Sequence, residues 1–191
     1  MAKLKNIPAF DVNGSLPEGV YHTDIATMQV RFVTEFPDSQ TRPAIYEAFN
    51  ALRADGEKLG VVGTQWVNGS FVTSKENPGD IDVVTFCDHG HLNNLGTDAM
   101  EFVSQYLGGG EAAKTRYRTH AFLVPSCSAG HVYFSAFETA RLYWRKWFGR
   151  TRDIPNPPGP DRPGQPKGFL EMPLGNAEHA PLISHDIRSS P

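Results

Sequence analysis

Two carboxylates at the mouth of an otherwise apolar run constrain this chain more than any other feature: Asp80-Ile81-Asp82-Val83-Val84-Thr85-Phe86. The β-branched and aromatic residues of 81–86 predict a strand. Side chains two positions apart project from one face of a strand, which puts Asp80 and Asp82 side by side. Carboxylates so placed repel each other unless a cation lies between them. Hard divalent cations such as Mg²⁺ take oxygen ligands and share them with substrate phosphates. The pair therefore reads as half of a metal clamp.

The other half lies upstream. Val61-Val62-Gly63-Thr64-Gln65-Trp66-Val67 predicts a strand that Asn68-Gly69-Ser70 ends. Gly69 permits a tight turn and close approach of a ligand to the backbone. The Ser70 hydroxyl and neighbouring N–H groups suit a phosphate. Residues 74–79, Ser-Lys-Glu-Asn-Pro-Gly, are a turn by composition. Lys75 lies there between the two halves, as a phosphate contact or as a solvated turn lysine.

Around these strands the period is helical. Thr23 is expected to cap a helix over 24–36, with Ile25, Met28, Phe32 and Phe36 near one face and Pro37 as its stop. A second helix starts near Pro43 with a stripe of Ile45, Phe49 and Leu52. A polar loop over 88–96 leads to a helix over 97–107, ended by Gly108-Gly109-Gly110. Residues 118–125 predict a third strand, and 131–148 a long aromatic helix. Residues 1–22 read as an irregular entry and 23–150 as the domain proper. The six prolines of 151–166 predict an extended, poorly ordered connector. Residues 166–172 are expected to return as a short edge strand or docking segment, and 175–191 to fray. The order predicts an α/β (α+β) domain on a small mixed sheet with flanking helices.

Composition narrows the function. The net charge of -3 argues against a broad nucleic-acid surface. Two cysteines, Cys87 and Cys127, exclude a disulfide-dense scaffold and fit no zinc spacing. No signal peptide and no transmembrane run is visible, so a cytoplasmic protein without a membrane partner is expected.

Gly69-Ser70, nine intervening residues, then Asp80-Ile81-Asp82 resembles the Gly-Ser…Asp-x-Asp motif of the polymerase-beta-like nucleotidyltransferase superfamily. The chain also resembles a group of short bacterial proteins assigned to that superfamily. The matching pieces are 16–20, 31–33, 65–71, 80–84, 143–148 and 166–168. The resemblance implies that Gly69 and Ser70 bind nucleotide phosphate and that Asp80 and Asp82 bind Mg²⁺ or Mn²⁺. The superfamily places a third carboxylate on a neighbouring strand. Strand 118–125 has no Asp or Glu, and His120 stands at the corresponding position. Imidazole serves as a base near neutral pH. It is a poor Mg²⁺ ligand and a better one for Mn²⁺.

Two functions follow as expectations. The first is a divalent-metal-dependent nucleotidyltransferase that moves a nucleoside monophosphate from a triphosphate to a hydroxyl on protein, RNA or a small molecule. Its catalytic residues would be Asp80, Asp82 and His120, and its nucleotide-binding residues Gly69, Ser70 and Lys75. The second is a catalytically impaired binding protein, a regulatory or antitoxin-like partner. It would use helix 131–148 and segment 166–172 to form a homodimer or to hold a partner protein.

Overall fold

A computed structural model describes residues 7–153 and 164–175. Five strands form one mixed sheet: β1 (Val20–His22), β2 (Gly63–Asn68), β3 (Ile81–Asp88), β4 (Thr119–Ser126) and β5 (Phe169–Leu174). Their order is β1-β5-β2-β3-β4. The β3–β4 and β1–β5 pairs are parallel, and β2 runs antiparallel to both β3 and β5. The helices are α1 (Ile25–Gln29), α2 (Arg42–Lys58), α3 (His89–Leu92), α4 (Thr97–Tyr106), α5 (Glu111–Tyr117) and α6 (Phe134–Phe148). This is the α/β class with a small mixed sheet that the sequence predicts.

Alternation along the strands sorts two cores onto two faces. On one face Val83, Ala121, Leu170 and Met172 meet Met28, Phe32, Ile45, Phe49, Leu52 and Phe102. On the other, Trp66, Val84, Phe86 and Phe169 meet Phe137 and Phe148 of α6. Trp66 is the largest wholly buried side chain, with Phe86 and Phe169 at ring-centroid distances of 4.6 and 5.0 Å. Burying such a ring contributes roughly 1.5–3 kcal/mol.

Several expectations change. Residues 20–22 are a strand, not part of an irregular entry. Asp24, not Thr23, caps the first helix, and its carboxylate accepts from Thr27 N at 2.7 Å. Thr23 N instead donates to Glu171 O at 2.9 Å, beside the β1–β5 ladder. The helix relaxes into a π turn over Val30–Thr34. Loop 88–96 contains the short α3, capped by Asp88. Leu107 is the C-cap of α4, ahead of Gly108-Gly109-Gly110, and Gly110 is the N-cap of α5. The aromatic helix begins at Phe134 rather than at 131. Segment 166–172 is no edge, since β5 lies between β1 and β2. The remainder of the proline-rich connector (154–163) and residues 176–191, which the sequence predicts to fray, lie outside the described residues. Among the described residues no helix is long and apolar enough to cross a membrane.

Candidate functional site

The motif halves meet at the end of β2 and the start of β3. Asn68 pairs with Asp82 across the antiparallel ladder, which carries Gly69 over the carboxylate. Gly69 has φ +85°, and a Cβ there would stand 2.7 Å from Asp82 Oδ2 and 3.1 Å from Asp82 N. Glycine is thus required twice, by conformation and by contact. Ser70 opens a 3-10 turn over Ser70–Val72, and its carbonyl accepts from Thr73 Oγ1 at 2.7 Å.

The loop beyond is held from the other side of the sheet. Arg42, in the first turn of α2, is wholly buried. Its guanidinium donates to Phe32 O and Phe71 O at 2.8 Å, to Thr73 O at 2.7 Å and to Lys75 O at 2.6 Å. It also lies 3.7 Å from the centroid of the Phe36 ring. Burial lowers its pKa to about 10. Ser39 Oγ donates to Glu76 O at 2.6 Å, and Asn77 Oδ1 accepts from Gln40 N at 2.8 Å. Lys75 is itself exposed, and it is its backbone that this network holds.

Parallel pairing of β3 with β4 sets Asp82 directly beside His120. The register is seeded by Arg118, the only non-glycine residue of positive φ (50°) among the described residues, whose carbonyl accepts from Ile81 N at 3.1 Å. His120 Nδ1 lies 3.6 Å from Asp82 Oδ1, with 39% and 31% of the two side chains exposed, so the pair opens to solvent. His120 Nε2 lies 3.2 Å from Gly109 O. Donation of an Nε2 proton to that carbonyl leaves the Nδ1 lone pair facing Asp82. Burial raises the Asp82 pKa, and the charge of Asp80 raises it further against the opposing charges of His120, Lys167 and Arg152. Asp80 Oδ2 is 3.4 Å from Lys114 Nζ of α5.

Two features had weak signals in the sequence. Lys167, in a Pro-Lys-Gly step that looks like ordinary loop, is only 8% exposed and faces Asp82 electrostatically. Asn68 donates through Nδ2 to Phe148 O at 3.1 Å, while its buried Oδ1 has no partner. A buried amide oxygen opposite a carboxylate makes an oxygen-rich corner in need of a donor or cation. Among the described residues no three His, Cys, Asp or Glu side chains converge on one metal position. At this corner the Asp82 carboxylate is the hard oxygen donor, and a cation held there would need substrate oxygens or water for the rest of its shell.

A family model described as "Family of unknown function (DUF6932)" matches residues 8–173, and the chain belongs to that family. No curated protein and no solved structure matches the chain.

Proposed function

We propose that this DUF6932 member is a divalent-metal-dependent nucleotidyltransferase, with Asp82 at the centre of its site. One observation carries the reading. Asp82 is shared by the motif glycine, whose missing Cβ leaves room for its carboxylate, and by His120, which stands in register where a third acidic group is expected. A divalent cation such as Mg²⁺ or Mn²⁺, bound with a nucleoside triphosphate, would offset the charge that develops on the phosphate oxygens. Gly69 and Ser70 would cradle the phosphates with backbone N–H groups and the serine hydroxyl. Asp80 and Asp82 would supply carboxylate oxygens. His120, with Nε2 tied to Gly109 O, would take the proton of the attacking hydroxyl on Nδ1. That hydroxyl oxygen bonds to the α-phosphorus as the bond to pyrophosphate breaks. Lys75 would reach the triphosphate from its exposed loop.

The experiment is incubation of the full chain with α-labelled triphosphates and Mg²⁺ or Mn²⁺. Label should enter an acceptor from protein, RNA or small-molecule pools. Asp82→Ala should abolish transfer, and His120→Ala should reduce it by roughly 10²–10⁴-fold. Absence of transfer to every acceptor class, in both metals, would sink the reading.

A second reading rests on a separate observation. Tyr143 and Trp147 of α6 are 56% and 61% exposed, and their rings lie parallel (10°) at 6.4 Å. Leu142 beside them is 53% exposed. Such a patch supports a regulatory or antitoxin-like protein that grips a second protein or a second copy. Complex formation that survives Asp82→Ala but not Trp147→Ser would favour it.

A further inference from the structure

Between the end of α6 and strands β1 and β5 lies a cleft of about 310 Å³. Its walls carry four cations, Arg145, Lys146, Arg150 and Lys167, against one carboxylate, Glu18 at its rim, with Phe169 also lining it. Two of the four have an ordinary structural reason. Arg145 and Lys146 sit in the last turn of α6, where cations complement helix carbonyls. Arg150 donates to Gly164 O at 2.9 Å, which leaves the rest of its guanidinium available to the cleft.

Lys167 has a partial one: the charge of Asp82 acts on it from beyond ion-pair distance. It is on no helix and is 92% buried, being only 8% exposed. Its ammonium makes no hydrogen bond and no ion pair within 4.0 Å among the described residues. Its backbone is clamped on both sides. Lys167 N donates to Gly149 O, and Gly168 N to Leu16 O, each at 2.9 Å. A Cβ on Gly168 would stand 2.4 Å from Pro17 O, so the segment is wedged against its neighbour. Asp82 offsets part of the cost of this clamped, desolvated ammonium, and an anion in direct contact would offset the rest. The cleft is where one can sit.

The surplus of three positive charges (four cations less Glu18) overmatches a single carboxylate and suits a phosphate dianion or polyphosphate. Guanidinium forks and ammonium point charges are the side chains that recognise phosphate. The volume falls in the small-molecule range of ~300–1,000 Å³. We propose that this cleft binds a phosphate-bearing small molecule, anchored by Lys167 and Arg150 and flanked by Arg145 and Lys146. The site lies outside the Gly-Ser…Asp-x-Asp residues and does not depend on nucleotidyl transfer.

The test is equilibrium dialysis of the full chain against labelled inorganic phosphate, with pyrophosphate and AMP as competitors. Wild type should retain phosphate. Lys167→Met and Arg150→Gln should each weaken retention by about tenfold or more. AMP competing better than phosphate identifies a nucleotide, and equal competition identifies the phosphate group alone. Either result supports the site. No retention by wild type at about 10 mM phosphate, or retention undiminished in both variants, overturns it. Should Lys167→Met lose its cooperative melt, Arg150→Gln and Arg145→Gln carry the test. Phosphate retention without any nucleotidyl transfer would defeat the catalytic reading and leave this one standing.

Discussion

A methyl group at Gly69 would press on Asp82 Oδ2 from 2.7 Å, on a backbone whose φ of +85° already disfavours any side chain. Gly69→Ala should therefore cost about 1–3 kcal/mol in urea unfolding and push the carboxylate out of place, so that transfer falls with it. Asp82 should behave in the opposite way. Its pKa is raised by burial and by Asp80, so the native state holds this proton more tightly than the unfolded chain does. The stability it contributes is present below the unfolded value of about 3.9 and is lost as pH rises through the native value. Asp82→Asn should accordingly melt higher than wild type at pH 7, and the two curves should converge toward pH ~4. A variant more stable yet inactive would mark Asp82 as retained for chemistry rather than packing. Of this site, Gly69, Ser70, Asp80 and Asp82 could be named from residue type and spacing, and His120 only through the resemblance to the nucleotidyltransferase superfamily. Lys167 could not, because nothing in Pro166-Lys167-Gly168 signals that Gly149 and Leu16 will close over it.

The loop between β2 and β3 has no regular ladder of its own, and Arg42 at the start of α2 makes three of the side-chain hydrogen bonds that hold it. Arg42 of α2 satisfies four carbonyls, three of them on Phe71, Thr73 and Lys75. Arg42→Met keeps the aliphatic stem but strands those acceptors, each worth about 1–3 kcal/mol when left unpaired. A net loss of roughly 3 kcal/mol or more is expected, read as a lower denaturation midpoint. Arg42→Lys should recover only part of it, since three ammonium protons cannot serve four acceptors. The element types of β2, β3, β4, α2 and α4 follow from period and were legible. The mistakes share a cause, which is that partners distant in sequence decide. Leu107, not a glycine, is the C-cap of α4, and Gly110 is the N-cap of α5. Asp24 outcompetes Thr23 as a cap because Thr23 is drawn toward Glu171.

At the scale of the molecule the main surprise is β5. Phe169-Leu170-Glu171-Met172-Pro173-Leu174 carries a charge and a proline, which argue for an edge. The fold accommodates both. Trp66 Nε1 donates to Glu171 Oε2 at 2.7 Å, and His22 Nδ1 lies 2.9 Å from Glu171 Oε1. β1 pairs only as far as Glu171, so at Pro173 the strand has its ladder neighbour, β2, on one side alone. A chain ending at Asp153 should consequently show no cooperative thermal transition, whereas one ending at Gly175 keeps every contact described here and should melt as the full chain does. Identical melting of the Asp153 truncation would refute the structural role of β5.

The position of β5 also has a consequence for synthesis. Asn68 ends β2 and Phe169 begins the strand that completes its other flank, 101 residues later. At about 5–20 residues per second, a ribosome needs roughly 5–20 s to cover that distance. Throughout that interval the nascent sheet offers an unpaired edge along Gly63–Asn68, with Trp66 lacking the Glu171 acceptor that will hold its indole. Such an edge recruits foreign strands. Folding yield in the cell should therefore depend on translation speed and on chaperones that shield this edge until residue 174 has emerged.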